Sequence, residues 1–270
     1  MPGGGGSAVV TGAGRGIGEQ IARLLAARGL TVVVTDIDEE AARRVAGEIG
    51  GIALVQDVRD PDSHREAARA AQAAGELRVW VNNAGVLYAA PAWRHSDAEV
   101  TRTIEVNLLG TLHGSRAAVD AMHAGTGRGD VVNVVSVSAH GPVPGLGVYA
   151  ASKAGALGFT TSLAGDLRAA GSRVRVHALC PDTVATGMVH AVATDPSASL
   201  LFTGGGLLDA HEVARAAVQL VGTDRLVRSV PGWRAALVRV GGLIPGTAAR
   251  RLMPAFERFG RGMQRRRHAP

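Results

Sequence analysis

Cysteine is almost missing: Cys180 is the only one in 270 residues. That excludes an intrachain disulfide, and without clustered thiolate ligands a structural zinc site is not expected. A reducing cytoplasm is the compartment that fits such a chain. Lysine is as scarce, since Lys153 is the sole lysine among 29 basic residues. A lysine that survives so strong an arginine bias marks a place to look for chemistry. Nowhere do about 18 apolar residues run uninterrupted, so no spanning helix is expected. The opening residues Met1-Pro2-Gly3-Gly4-Gly5-Gly6 offer neither a basic nor an apolar stretch, so a cleaved secretion signal is not expected either. No internal repeat or low-complexity linker divides the chain.

What is present is ample core material, with 46% apolar and 19% charged residues. The length allows one large domain or two small ones. The formal net charge of +6 hints at nucleic acid, but its distribution speaks against that reading. Residues 225–270 hold 11 arginines and one acid, Glu257, which leaves the first 224 residues at −4. The basic excess belongs to a carboxy-terminal appendage on a mildly acidic body.

Short β-branched apolar runs at 7–10, 30–35, 52–56, 77–81, 131–135 and 174–179 read as strands covered on both faces. Between them, 16–28, 39–49, 61–74, 98–122 and 149–170 read as helices, several behind a capping residue such as Asp38, Asp60 or Asp97. Strict alternation of this kind implies an α/β, Rossmann-type doubly wound parallel sheet of about seven strands, with helices on both faces. Residues 226–230 are the candidate seventh strand. The domain division that follows is a catalytic domain over 1–230, with a substrate loop at about 187–208, and a basic amphipathic helical extension over 231–270. A doubly wound sheet binds ligands at the carboxyl ends of its strands, so functional residues are sought there.

The first strand runs into Thr11-Gly12-Ala13-Gly14-Arg15-Gly16-Ile17-Gly18 and a helix, the arrangement in which a backbone turn lets a pyrophosphate rest on helix amides. Asp36 ends the next strand, about 20 residues on, and is placed to bond the adenine ribose hydroxyls and repel a 2′-phosphate. Arg15 is the counter-signal for a phosphate, and the balance favours NAD, with NADP less favoured. Asp57-Val58 follows the third strand, with Asp57 placed to accept from an adenine amino group. Asn82-Asn83-Ala84-Gly85 follows the fourth and can tie neighbouring strands together under the adenosine.

At this point the sequence resembles the short-chain dehydrogenase/reductase family, over roughly residues 7–188. The resemblance rests on residues 11–18, Asp57, the Asn82-Asn83-Ala84-Gly85 turn, Asn107, the stretch from Asn133 to Ser136, and Tyr149-Ala150-Ala151-Ser152-Lys153. It implies catalytic roles for Asn107, Ser136, Tyr149 and Lys153. It also implies cofactor contacts from Gly12, Arg15, Gly16, Ile17, Gly18, Asp36, Asp57, Val58, Asn83, Ala84, Gly85, Tyr149, Lys153, Pro181 and Thr186. The residues carry a reading of their own. Tyr149 and Lys153, four apart on a helix, share a face. Unit charges ~4 Å apart at an effective dielectric near 20 interact by about 4 kcal/mol, enough to pull the phenol down by roughly 3 pKa units at most. Ser136 ends a strand thirteen residues earlier, where a hydroxyl can hold the substrate oxygen. Asn107 lies mid-helix, where Asn is a poor helix former; the family uses such a residue to loosen the helix and hold a water beside the lysine.

Two departures from the family pattern stand out. His177 replaces an asparagine, and Pro181-Asp182 replaces Pro-Gly, so that Asp182 takes a position suited to positive φ and sets a carboxylate beside the nicotinamide. The family's common Asp-Gly-Gly finish to the last strand is also absent. Substrate contacts are sought at Ser138, His140, Val143 and Met188, with Leu87, Trp93 and Phe202 nearby. Together they describe an apolar pocket for a small alcohol or ketone. A glycine run, Gly204-Gly205-Gly206, has the look of a hinge ending a mobile lid.

Leu252, Phe256, Phe259 and Met263 make an apolar stripe beside Arg250, Arg251, Arg258, Arg261 and Arg265, with Pro254 where a helix would begin. A second apolar segment precedes it at 233–244. Such helices dock on protein, lie on an anionic membrane or bind nucleic acid; interleaved aromatics are too few for the last. The leading function is an NAD-dependent oxidoreductase of an apolar secondary alcohol or ketone, assembled as a homodimer or homotetramer. The alternative is a dinucleotide-binding regulator or scaffold that recruits partners through its tail.

Overall fold

The computed structural model of the chain describes residues 5–204, 206–243 and 246–267. Seven strands form one parallel sheet in the order β3-β2-β1-β4-β5-β6-β7. They are β1 (Gly6–Thr11), β2 (Thr31–Asp36), β3 (Ile52–Val55), β4 (Glu76–Asn82), β5 (Arg128–Val134), β6 (Arg173–Pro181) and β7 (Val227–Val230). The helices between them are α1 (Gly16–Ala26), α2 (Glu39–Ile49), α3 (Pro61–Ala74), α4 (Asp97–Ile104), α5 (Gly110–Ala124), α6 (Gly147–Ala169), α7 (Gly187–Ala191) and α8 (Ala210–Val218). Beyond the sheet come α9 (Gly232–Leu243) and α10 (Gly246–Arg267).

Alternation along each strand splits the core in two. Val10, Val34, Val81 and Val132 face α1, α2 and α8, where Ile21, Leu25, Val45 and Val213 meet them. Their neighbours Val9, Val33, Trp80 and Val131 face α3, α5 and α6, against Ala71, Met122 and Leu167. Because both faces are covered, the strands need no polar side, which is why they read as continuous apolar runs. Asp38 and Asp60 cap α2 and α3 as expected, each carboxylate accepting a backbone N–H of the first turn. Asp97 does not cap α4. Ser96 does, in a reciprocal box with Glu99 that satisfies two helix-end donors at once.

The extension departs from its expected layout. Pro254 lies inside α10 rather than at its start. The stripe is split as well: Met263 packs on the small cluster of Val189, Ala198 and Phe202, while Phe256 and Phe259 are 51% and 56% exposed. The side chains of Leu252, Arg250 and Arg251 lie outside the described residues. What decides the docking face is close approach and hydrogen bonding. A Cβ on Gly260 would come 2.5 Å from the Ser199 carbonyl oxygen, and Gln264 Nε2 donates to the carbonyls of Ala193 (2.7 Å) and Asp195 (2.8 Å). Deleting residues 247–270 is therefore expected to lower the melting temperature by several degrees, because it bares that cluster and strands one buried and one partly buried carbonyl. Differential scanning calorimetry checks this; an unchanged transition would mean that α10 contributes nothing to the fold.

Candidate active site

A cleft of about 500 Å³ opens at the carboxyl ends of the strands, within the size range of small-molecule sites. At one end the turn from β1 enters α1. Gly16 has φ +59°, a left-handed conformation that side chains disfavour, and a Cβ there would meet nothing nearer than Thr186 Cγ2 at 3.5 Å, so the turn lies open to the cleft. Gly18 is closed in: a Cβ would come 2.3 Å from Gly12 O and 2.4 Å from Asn83 Nδ2. Helix α1 begins at Arg15 with no side-chain cap, unlike α2 and α3. Its first amides are therefore left to face the cleft, where the helix dipole favours an anion.

Asp36 is 7% exposed, and its carboxylate accepts from the backbone N–H of Gly14 (2.9 Å) and of Asp38 (3.1 Å). A Cβ on Gly14 would sit 2.9 Å from Asp36 Oδ2, so that glycine is what lets the carboxylate seat there. Arg15 lines the cleft and pairs with Asp38 at 3.9 Å. Asp57 and Val58 line it too, but the Asp57 carboxylate is already held by Arg59 Nε at 2.9 Å. The Arg59 guanidinium keeps that carboxyl below the usual range, against an opposing effect of burial.

The two asparagines after β4 divide their work. Asn83 Nδ2 donates to the carbonyls of Thr11 (3.0 Å) and Gly12 (2.9 Å), fastening the end of β4 to the glycine turn. Asn82 is buried in a satisfied network, donating to Asn133 Oδ1 (2.8 Å) and Ser115 Oγ (3.1 Å) and accepting from Trp80 Nε1 (2.8 Å). Ala84 and Gly85 line the cleft beside them.

Asn107 lies in a π-turn, Glu105–Leu109, that joins α4 to α5. The widened turn carries its fully buried side chain to the segment after β4 and to α6. Oδ1 accepts from Val86 N–H (2.8 Å), and Nδ2 donates to Val86 O (2.9 Å) and Ser152 Oγ (3.1 Å). Ser136, just past β5, accepts from Ser138 N–H and donates to the Ser138 hydroxyl, each at 3.1 Å. Tyr149 and Lys153 reach the same cleft from α6. Burial pushes the Tyr149 phenol up to about 12, and a hydrogen bond with Ser136 pulls the other way. Lys153 is 4% exposed; burial brings its ammonium down to about 8. The expected lowering of the phenol by the ammonium is thus reversed. Nζ lies 5.8 Å from the tyrosine ring centroid and donates to Val134 O at 3.0 Å, and desolvation of the phenol is the larger effect.

Residues 7–197 match the family model described as short chain dehydrogenase. The chain belongs to the short-chain dehydrogenase family. It is 35% identical over 222 residues to the 3-oxoacyl-[acyl-carrier-protein] reductase FabG of Escherichia coli, covering 80% of this chain and 90% of that one. It is 30% identical over 248 residues to human 17-beta-hydroxysteroid dehydrogenase 13, covering 89% and 80%. A solved short chain dehydrogenase/reductase from Burkholderia phymatum, in complex with NAD, superposes with a TM-score of 0.79 at 30% identity, covering 87% of this chain and 92% of that one. As a member of this family, the protein is an oxidoreductase.

The departures at His177 and Asp182 are resolved by pairing. His177 is buried, bonded through Nδ1 to Arg225 O (2.8 Å) and through Nε2 to Asp130 Oδ1 (2.9 Å), below the cleft. Asp182 does not adopt positive φ, since only glycines do so among the described residues. Its carboxylate pairs with Arg234 Nε at 3.0 Å and is not a free charge. Pro181, Thr186, Ser138, Val143 and Met188 line the cleft, as does Leu87, whereas His140 does not. The His140 ring is turned toward Ser229 (3.5 Å) and Arg239 (3.4 Å) instead. Trp93 is 83% exposed and Phe202 is buried in the loop's own cluster. Arg234, Leu237, Val238 and Phe256 line the cleft from α9 and α10, and no sequence motif pointed to them. The signal that exists is weak: an arginine one turn into a helix that follows the last strand.

Proposed function

We propose that the protein is an NAD-dependent oxidoreductase that interconverts a secondary alcohol and a ketone on an apolar substrate. The observation that carries this reading is the convergence of Ser136, Tyr149 and Lys153 on one cleft, where Val143, Met188, Leu201, Leu237 and Val238 supply an apolar stretch of the wall. In oxidation, Tyr149 accepts the proton of the substrate hydroxyl while Ser136 holds the oxygen by a hydrogen bond. Lys153 would hold the ribose of the cofactor and keeps positive charge near the phenol, and Asn107, from its π-turn, braces Ser152 on α6 and would support a proton relay. NAD, when bound, supplies the hydride acceptor and a further positive charge. The open Gly16 turn and the uncapped α1 amides fit its pyrophosphate, with Gly12, Ile17, Gly18, Asn83, Ala84 and Gly85 shaping that floor. Asp57 and Val58 fit the adenine, and Pro181 and Thr186 the nicotinamide. The named activities of the two relatives, on a hydroxysteroid and on a 3-oxoacyl group, both join an oxygen function to an apolar body. Following nicotinamide absorbance with a panel of hydrophobic alcohols and ketones tests the reading; no turnover across the panel would overturn it.

Preference for NAD over NADP rests on Asp36, whose fixed carboxylate would repel a 2′-phosphate, while Arg15 is drawn toward Asp38. Asp36→Ala is expected to shrink the ratio of the two dissociation constants at least tenfold, about 1.4 kcal/mol. Equal affinities in the wild-type chain would show that Arg15 overrides the carboxylate.

The use of a single, unpaired and buried cysteine, Cys180, supports a cytoplasmic setting. Among the described residues no helix is long and apolar enough to cross a membrane. Trp233, Leu237 and Val240 remain at least half exposed on one face of α9, which supports assembly with a second copy as dimer or tetramer, or shallow contact with an anionic membrane. Solution mass and salt-sensitive vesicle binding, measured on the full chain and on Trp233→Ser, separate the two. NAD affinity is expected to survive deletion of residues 247–270.

A further inference from the structure

Three segments meet at Asp182. Its backbone N–H donates to Val230 O at 2.8 Å, fixing it between the ends of β6 and β7. Its carboxylate pairs with Arg234 Nε of α9 at 3.0 Å, with the two side chains only 11% and 12% exposed. Arg234 Nη2 also donates to the Thr203 hydroxyl, at the end of the short helical segment Pro196–Gly204. Next to it, Thr183 Oγ1 donates to Leu201 O at 2.8 Å. Gly204 is pressed onto the pair: a Cβ there would lie 2.6 Å from Asp182 Oδ2 and 3.6 Å from Arg234 Nε. Gly204 is therefore a packing contact rather than a free hinge, and Gly205 lies outside the described residues. Asp182, Thr203 and Arg234 all line the cleft that holds Ser136 and Tyr149.

We propose that Arg234 is a specificity-determining positioning residue, which clamps the substrate loop and the carboxy-terminal extension together to form the outer wall of the substrate site. The inference rests on the alcohol–ketone reading above and names what part of the substrate the extension sees. A nearly buried carboxylate is costly to leave without its partner, so moving α9 away from the cleft would strand Asp182. The wall it holds, Leu201, Leu237, Val238 and Phe256, is apolar and is set by the loop and the extension, whereas Ser136 and Tyr149 are set by β5 and α6. Chemistry and reach are thus carried by different parts of the molecule. A short substrate needs only the former, and a long apolar one needs both.

The test compares the full-length chain with Arg234→Met, using secondary alcohols of increasing length from 2-propanol to 2-decanol. KM for the long alcohols is expected to rise at least tenfold, with kcat within about threefold, and KM for the short alcohols is expected to change less than twofold. Hydrogen exchange over residues 196–204 is expected to accelerate, while β1, β4 and β5 stay protected. Thr203→Val, which cuts only the loop arm of the clamp, is expected to move both readouts the same way by a smaller factor; it serves if Arg234→Met does not fold. A uniform loss across all chain lengths, or unchanged exchange over 196–204, overturns the proposal. If the wild-type chain turns over no alcohol or ketone, the functional reading fails and the exchange comparison alone decides the clamp.

Discussion

Tyr149→Phe is expected to lower turnover by about a thousandfold or more and to leave NAD affinity within about twofold. The substitution removes one oxygen and the only phenol that faces Ser136. At neutral pH a phenol of pKa about 12 is ionised in roughly one molecule in 10⁵. Proton acceptance therefore depends on added positive charge, from Lys153 and from oxidised cofactor. Oxidation by the wild-type chain should accordingly accelerate as the pH rises from 6 toward 8, the range in which Lys153 keeps its proton. The phenylalanine variant should show a flat residual rate. Steady-state kinetics and a fluorescence titration of cofactor check both statements; retention of more than a tenth of wild-type turnover would remove Tyr149 from its role.

Lys153→Met should separate activity from stability. Turnover is expected to fall by at least a hundredfold and NAD affinity to weaken, since the ribose loses its cation. The melting temperature at pH 7 is nevertheless expected to rise. Burial holds the Lys153 ammonium down at about 8, against an ordinary value of 10.5. Below about pH 8 the lysine is charged in both the folded and the unfolded chain, and the folded state carries the full penalty, ~3 kcal/mol at 1.36 kcal/mol per unit. As the pH climbs from about 8 to 10.5 the folded chain sheds the proton first and the penalty fades. Methionine removes the charge but strands the buried Val134 carbonyl, a loss of about 2 kcal/mol. The net gain is ~1 kcal/mol, worth a few degrees at pH 7 and less at pH 10. A variant that melts lower than the wild type at pH 7 would show that the buried ammonium is not a liability to the fold.

Both expectations start from residues that stand out in the sequence, and that legibility has a physical basis. A tyrosine and a lysine four apart must share a helix face, because 3.6 residues make a turn. A glycine run between an apolar strand and a helix is an ordinary tight turn until its position, with Asp36 ending the next strand, makes it a place for a pyrophosphate. The π-turn at Asn107 was legible only as a poor helix former in a helical stretch; that its amide spans Val86 and Ser152 depends on where the segment after β4 and α6 run. The cap at Ser96 was missed because Asp97 is an equally good capping type, and only the chain direction at that corner separates them.

The apolar stripe of the tail shows where periodicity stops. Spacing places Phe256, Phe259 and Met263 on one broad side of α10, but Gly260 and Gln264 decide which part of it docks, through an approach too close for a side chain and two hydrogen bonds to carbonyls far away in sequence. The direction of the Tyr149 shift was likewise out of reach, because it is set by desolvation, and desolvation is a property of the whole fold around the phenol.

The sequence by itself determined the alternation of strands and helices, the parallel sheet, and the identity of the glycine turn, Asp36, Ser136, Tyr149 and Lys153, because each follows from local periodicity or from chemistry at short spacing. Only the tertiary structure decided that Asp182 is paired, that His140 turns away, and that Arg234, Leu237, Val238 and Phe256 line the cleft. Those facts join residues tens of positions apart. Contacts of that range are fixed by how helices pack on a closed sheet, a geometry that no short pattern in the chain encodes.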